Sequence, residues 1–159
     1  MKIHGKIVNK PKNRVIVIPR GEDQFVFQAQ AVLDYSEFDA ICPRPNVPTK
    51  QTFGENAGVT QVPDDPEYLK KLDKWQTNRY YWMVLKSLEV TEGLEWSTIV
   101  STQPETWGNI DTELQDAGFS ALEVNNIMRI VLDANGLDQS RIDEATKDFL
   151  AMQAAAERE

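Results

Sequence analysis

The sequence predicts an α+β fold that is mostly helical: a small N-terminal antiparallel hairpin, a long helix, then a C-terminal three-helix region. Three observations lead there. The clearest strand signals, a β-branched run and an alternating one, both fall in the first 30 residues. After Pro66 the chain runs for more than twenty residues without glycine or proline. Beyond Gln103, helix start and stop signals follow one another closely. At 159 residues, with 41% hydrophobic and 26% charged residues, the chain suits one domain with its own core.

The hairpin comes first. Arg14–Ile18 (RVIVI) is β-branched, and Gln24–Gln30 (QFVFQAQ) alternates apolar with polar. PRGED lies between them, with Gly21 free to take positive φ. The leading KIHGKIV is a candidate third strand. So small a sheet must pack on helices. In DYSEFDAI, Asp34 or Ser36 is placed to cap a short helix. Residues 1–42 thus form the N-terminal hairpin and short helix. Residues 43–66 are rich in proline, which removes N–H donors and disfavours helix before it, so they read as a loop.

Residues 67–159 form the helical region, within what reads as one domain overall. Asp64 or Asp65 caps the long helix, and Leu69, Leu72, Trp75, Trp82, Leu85 and Leu88 fall near helical spacing. LEWSTIV reads as a turn or short extended piece. The next helix runs from about Pro104 to Ala117, with Pro104 at its first position, Gly118 as its stop, and Trp107, Ile110 and Leu114 on its buried face. The following one opens on a Ser120–Glu123 capping box flanked by Phe119 and Val124 as a hydrophobic staple. Its stripe is Val124, Ile127, Val131 and Ala134, and Gly136 ends it. The last helix follows Asp138, with Ile142, Ala145, Phe149 and Met152 along one side and a fraying AAAERE tail.

Charge and composition bound the function. The net charge of −8 repels phosphate backbones, which argues against general nucleic-acid binding. The first 20 residues nevertheless carry six Lys/Arg and no acid, which reads as a lysine-studded strand edge or a basic arm. No apolar run is long enough to span a bilayer, and the N-terminal stretch lacks the apolar core of a secretory signal. One cysteine cannot form an internal disulfide and favours a reducing compartment.

The search for chemistry is largely negative. His4 is the single histidine and Cys42 the single cysteine, too few for a zinc site and poorly placed for a nucleophilic pair. No nucleotide-binding glycine motif and no calcium loop is present. The carboxylates Asp64, Asp65, Glu67, Glu92, Glu95, Glu105, Asp111 and Glu113 sit mostly at helix starts and on polar faces. The sequence therefore predicts no catalytic residues, no cofactor and no metal. Trp75, Tyr80, Tyr81 and Trp82 fit a packed core or a protein interface better than a base- or sugar-stacking platform.

One resemblance adds to this reading. SLE at Ser87–Glu89, Glu95–Trp96, Thr106–Trp107, Glu113–Leu114, AGFS at Ala117–Ser120, Glu123–Val124, Ala134–Asn135 and Leu137–Asp138 form a pattern. Upstream, the IPRG turn, Phe38–Asp39 followed by CPRPNVP, and Tyr68 extend it. Together they resemble the tail assembly chaperones of long-tailed (siphovirus-type) bacteriophages. The resemblance implies a non-enzymatic protein of the infected host's cytoplasm, absent from the mature virion. It would keep the tape-measure protein soluble while tail-tube subunits assemble, with tail-tube protein and self-association as further partners. Trp75, Tyr81, Trp82, Trp96 and Trp107 are the expected client contacts. A structural head–tail connector or tail-terminator component is the alternative, and an acidic DNA mimic a more distant one.

Overall fold

A computed structural model describes residues 1–7, 11–137, 142–144, 146–148 and 150. The architecture is α+β with helix in the majority, as the sequence predicts. The chain divides into two compact units, neither a single sequential segment. The first comprises Met1–Leu33, Lys86–Leu94 and the chain from Phe119 onward; the second comprises Asp34–Leu85 and Glu95–Gly118.

In the first unit, strands β1 (Lys2–Ile3) and β2 (Lys6–Ile7) make a small antiparallel ribbon of their own, so KIHGKIV does not add a third strand to the main hairpin. That hairpin is β3 (Asn13–Arg20) against β4 (Asp23–Gln30), closed by a two-residue turn. Gly21 takes φ +60 there, the positive value that the first position of a strand-matching tight turn requires. Pairing sets Ile16 against Phe27 and Ile18 against Phe25, so these four share one face, with Val15, Val17 and Val26 on the other.

Helix α4 (Ala121–Ala134) packs on the hairpin. Its predicted stripe, Val124, Ile127, Val131 and Ala134, is buried, as are Ile18, Phe27 and Ala29 of the strands. The capping box forms as read: the Glu123 N–H donates to Ser120 Oγ, and the Ser120 N–H donates to the Glu123 carboxylate at 2.8 Å. At the far end the Leu137 N–H donates to the Leu132 carbonyl and the Gly136 N–H to that of Asp133. Gly136, at φ +72, makes that reversal at no steric cost. Residues 142–144, 146–148 and 150 are helical and exposed. Of the predicted last stripe, Ile142 is exposed, while Ala145, Phe149, Met152 and the AAAERE tail lie outside the described residues.

The basic N-terminal segment is solvated at Lys2 and Lys6, as read, but its later cations also pair with acids of α4. Lys12 Nζ lies 2.9 Å from Asp133 Oδ1, and Arg14 Nε donates to Asp133 Oδ2. Arg20 pairs with Glu123 at 2.7 Å. Hydrogen bonds from Lys12 and then Arg14 hold the buried Asp133 carboxyl at a pKa of about 2. Three of the six early cations are thus engaged in ion pairs while keeping part of their surface in solvent.

In the second unit, α1 (Ser36–Ile41) starts one residue later than the best cap. Tyr35 occupies the cap position, while the Ser36 N–H and hydroxyl donate to the Asp34 carboxylate. The proline-rich stretch is not all loop: β5 (Thr49–Thr52) and β6 (Gly58–Gln61) form an antiparallel hairpin. Both strands carry β-branched threonine or valine, which suits extended backbone, and the prolines stay outside both strands. Helix α2 (Pro66–Leu88), whose last three residues belong to the first unit, is capped by Asp65, whose carboxylate accepts from the Tyr68 N–H at 2.8 Å. Its predicted stripe is only partly closed. Trp82, Leu85 and Leu88 are buried, Leu72 and Trp75 are half-buried, and Leu69 is exposed because Tyr68 takes the buried position of the first turn. The predicted helix from Pro104 is a 3-10 segment (Pro104–Asn109) leading into α3 (Ile110–Asp116), with Trp107, Ile110 and Leu114 buried as expected.

Candidate partner-binding surfaces

The second unit is organised on aromatic rings. Trp75, Arg79 and Trp82 recur on one side of α2 at helical spacing. Phe38 of α1 meets Trp75 and Trp82 with ring centroids 5.8 Å away in each case, and Trp107 at 6.2 Å. Tyr35 lies 5.3 Å from Trp82. The Arg79 guanidinium sits 4.0 Å from the Tyr35 ring centre and 5.4 Å from that of Trp75, with Asp39 as its ion-pair partner at 3.7 Å. The indoles are also anchored through nitrogen: Trp75 Nε1 donates to the Cys42 carbonyl at 2.9 Å and Trp107 Nε1 to the Val100 carbonyl at 3.0 Å. Amphipathic rings with their polar atom tied down make a rigid platform.

This geometry sorts the five expected contact residues. Trp82 is 2% exposed and Trp107 wholly buried, so both are core and neither presents a surface to a partner. The reason is ring crowding about Phe38, which closes both indoles off. Trp75, Tyr81 and Trp96 are half-buried and keep an open side. Trp75 is bracketed by Arg79 and by Arg44, whose guanidinium lies 5.6 Å from the ring. Tyr81 meets Tyr80 edge-on at 5.6 Å. Tyr80 is 38% exposed and was not among the five. Its place in the aromatic run was visible in the sequence, but its orientation was not.

The titratable groups read as structural. Desolvation pushes the Glu113 carboxyl up, but hydrogen bonds from Ser97 and Thr98 together outweigh it and hold the group below its ordinary value. Those bonds, at 3.0 Å from the Thr98 N–H and 2.6 Å from its hydroxyl, fix the segment after Trp96. Burial pushes the Cys42 thiol up, away from the thiolate a nucleophile needs. His4 is exposed in the β1–β2 turn. Among the described residues no three His, Cys, Asp or Glu side chains gather closely enough to share a metal ion. No described helix is long and apolar enough to cross a membrane.

The first unit contributes a second surface that sequence reasoning missed. A groove of about 450 Å³ runs beside β4, lined by Phe25, Val26 and Phe27 on one side and by Thr91, Glu92 and Leu94 on the other. The Thr91 hydroxyl both accepts from the Gln28 N–H and donates to the Gln28 carbonyl, each at 2.9 Å. This one side chain ties the 89–94 segment to the strand. Nearby, Asn135 accepts from the Val32 N–H at 2.9 Å and donates to Ser87 Oγ at 2.8 Å, joining three separated segments. Phe119 packs edge-on against Phe25 and Phe27 at 5.9 and 5.4 Å. Comparison with protein-family models, with curated proteins and with solved structures gives no match.

Proposed function

We propose that this chain is a non-enzymatic tail assembly chaperone of a long-tailed bacteriophage, binding the tape-measure protein and keeping it soluble in the cytoplasm of the infected host. Two things support the reading. One is the residue pattern from Ser87 to Asp138. The other, which carries it, is the set of half-buried aromatic residues Trp75, Tyr81 and Trp96 on a chain of net charge −8.

The physical logic is that of a soluble holder. Aromatic side chains supply large contact area with little rotamer entropy to lose, and they anchor interfaces more often than other residues. Trp75 is backed by Phe38 and tied through Nε1 to the Cys42 carbonyl, so its ring is already ordered before a client binds. The acidic remainder keeps the complex in solution while an apolar client is held.

Co-expression with the tape-measure protein tests this. The two co-purify, and the soluble fraction of the long helical protein rises. Replacing Trp75 and Trp96 together by alanine abolishes the rescue while the chain remains folded by circular dichroism. Absence of association, or a client equally soluble alone, overturns the reading. Recovery of the chain from purified virions by mass spectrometry points instead to a structural tail or connector component.

A further inference from the structure

We infer that the β4 edge in the first unit is a docking groove for an extended, basic-apolar segment of a partner protein, which adds to the hairpin as a third strand. This goes beyond the tail-assembly reading and does not rest on it. The argument begins with strand register. In an antiparallel pair, backbone groups point alternately toward and away from the partner strand. The Gln28 N–H and carbonyl are both taken by Thr91, so they point away from β3. With a period of two, the backbone groups of Val26 and Gln24 point the same way, into the groove. No described residue does for them what Thr91 does for Gln28.

Thr91 thus fills one place of a missing neighbour strand, and the positions next along the edge are left open. The groove is apolar where side chains of an added strand would fall. Phe25 is 47% exposed and Val26 43%, and Leu94 forms part of the opposite wall. Main-chain pairing to an open edge, with pockets for alternate side chains, is how extended peptides dock on sheets.

Charge selects the occupant. Among the described residues Glu92 is the single ionisable one lining the groove, and Glu22 and Asp23 lie at the hairpin turn just before it. A segment alternating apolar residues with lysine or arginine complements that rim. A second copy of this chain is acidic overall, at −8, and its one basic stretch is already engaged, Lys2–Ile3 and Lys6–Ile7 with each other and Lys12, Arg14 and Arg20 in ion pairs, so it is the poorer fit.

Amide hydrogen exchange on the full chain, with and without a short capped peptide alternating valine with lysine, tests the idea. Exchange slows about tenfold at Val26 and Gln24, while Phe25 and Phe27, whose N–H groups face β3, do not change. Val26→Pro removes an edge donor outside the β3–β4 ladder and abolishes peptide binding. Should that variant fail to fold, Glu92→Lys serves: it weakens the lysine peptide about tenfold and favours a valine–glutamate one. Uniform slowing along β4, equal binding of both peptides by the unaltered chain, or protection that grows with protein concentration and no peptide each overturns the inference.

Discussion

The first unit is fastened by polar side chains that bridge chain segments far apart in sequence, whereas the second is filled by aromatic rings clustered about one phenylalanine. Asp133 holds Lys12 and Arg14 across more than a hundred residues, Glu123 holds Arg20, and Thr91 and Asn135 each bind backbone of a distant segment. In the second unit Phe38, Trp75, Trp82 and Trp107 supply the cohesion, and the hydrogen bonds of Trp75 and Trp107 orient rings that packing already holds. A unit assembled from three pieces of chain needs directional contacts to fix how the pieces meet. A unit with several large rings gains most of its stability from area removed from water.

That contrast breaks most visibly at Trp107. Truncation to alanine empties a fully buried site and deletes the indole's bond to the Val100 carbonyl, which keeps the Gln103 N–H as a donor, costing roughly 3–5 kcal/mol. Chemical denaturation of Trp107→Ala checks it. A loss under about 1 kcal/mol would show that this region collapses around the void and that the ring cluster is not the second unit's main support.

The polar side of the comparison is sharpened at Asp133. Its folded pKa of about 2 lies below the ordinary 3.8, so its contribution is fully present above about pH 4. It is lost as pH falls through about 2. Allowing for screening at the partly exposed Lys12 and Arg14, Asp133→Asn costs about 1–2 kcal/mol near neutrality. The gap between parent and variant closes as pH falls from 4 toward 2. Urea midpoints measured across that range decide the matter. A gap that persists at pH 2 would mean that shape, not charge, makes Asp133 matter.

How much of this was legible depended on the range over which each feature is encoded. The capping box, the stripe of α4, Gly21 in its turn and the face of Trp107, Ile110 and Leu114 are all set by residues within a turn or two of each other. Local rules therefore found them. The β5–β6 hairpin was lost behind its flanking prolines, since Pro48 and Pro63 mark the borders of the hairpin as readily as those of a loop. The Lys12–Asp133 and Thr91–Gln28 contacts leave no local trace, because only the fold brings their partners together. The same holds for the candidate surfaces. Aromatic residues in α2 were visible as a cluster, but which rings face inward depends on Phe38, more than thirty residues away. The β4 groove depends on where the 89–94 segment lands.

A cap lies between the two chemistries, being polar yet local. Ser120→Ala removes the acceptor for the Glu123 N–H and costs about 1 kcal/mol, and Ser120→Asp restores most of it. Thermal denaturation of the pair measures this. Equal stability of alanine and serine would mean that the packing of α4 alone fixes its start.

The smallest effect expected lies where the aromatic unit borrows a charge. Arg79 spreads over Tyr35 and Trp75 and reaches Asp39 at the surface. Such a stack is worth about 0.5–1 kcal/mol, and the exposed ion pair adds little. Arg79→Met keeps the apolar contact and deletes the charge, so its loss of stability stays near that figure. A second readout is independent of stability. Burial raises the Tyr35 phenol above its ordinary pKa, and the Arg79 charge pulls it back down. Deleting that charge must therefore move the phenol further up, which ultraviolet titration of the phenolate detects. Should Tyr35 titrate unchanged in the variant, the guanidinium does not dwell over its ring in solution, and the second unit is held by its rings alone.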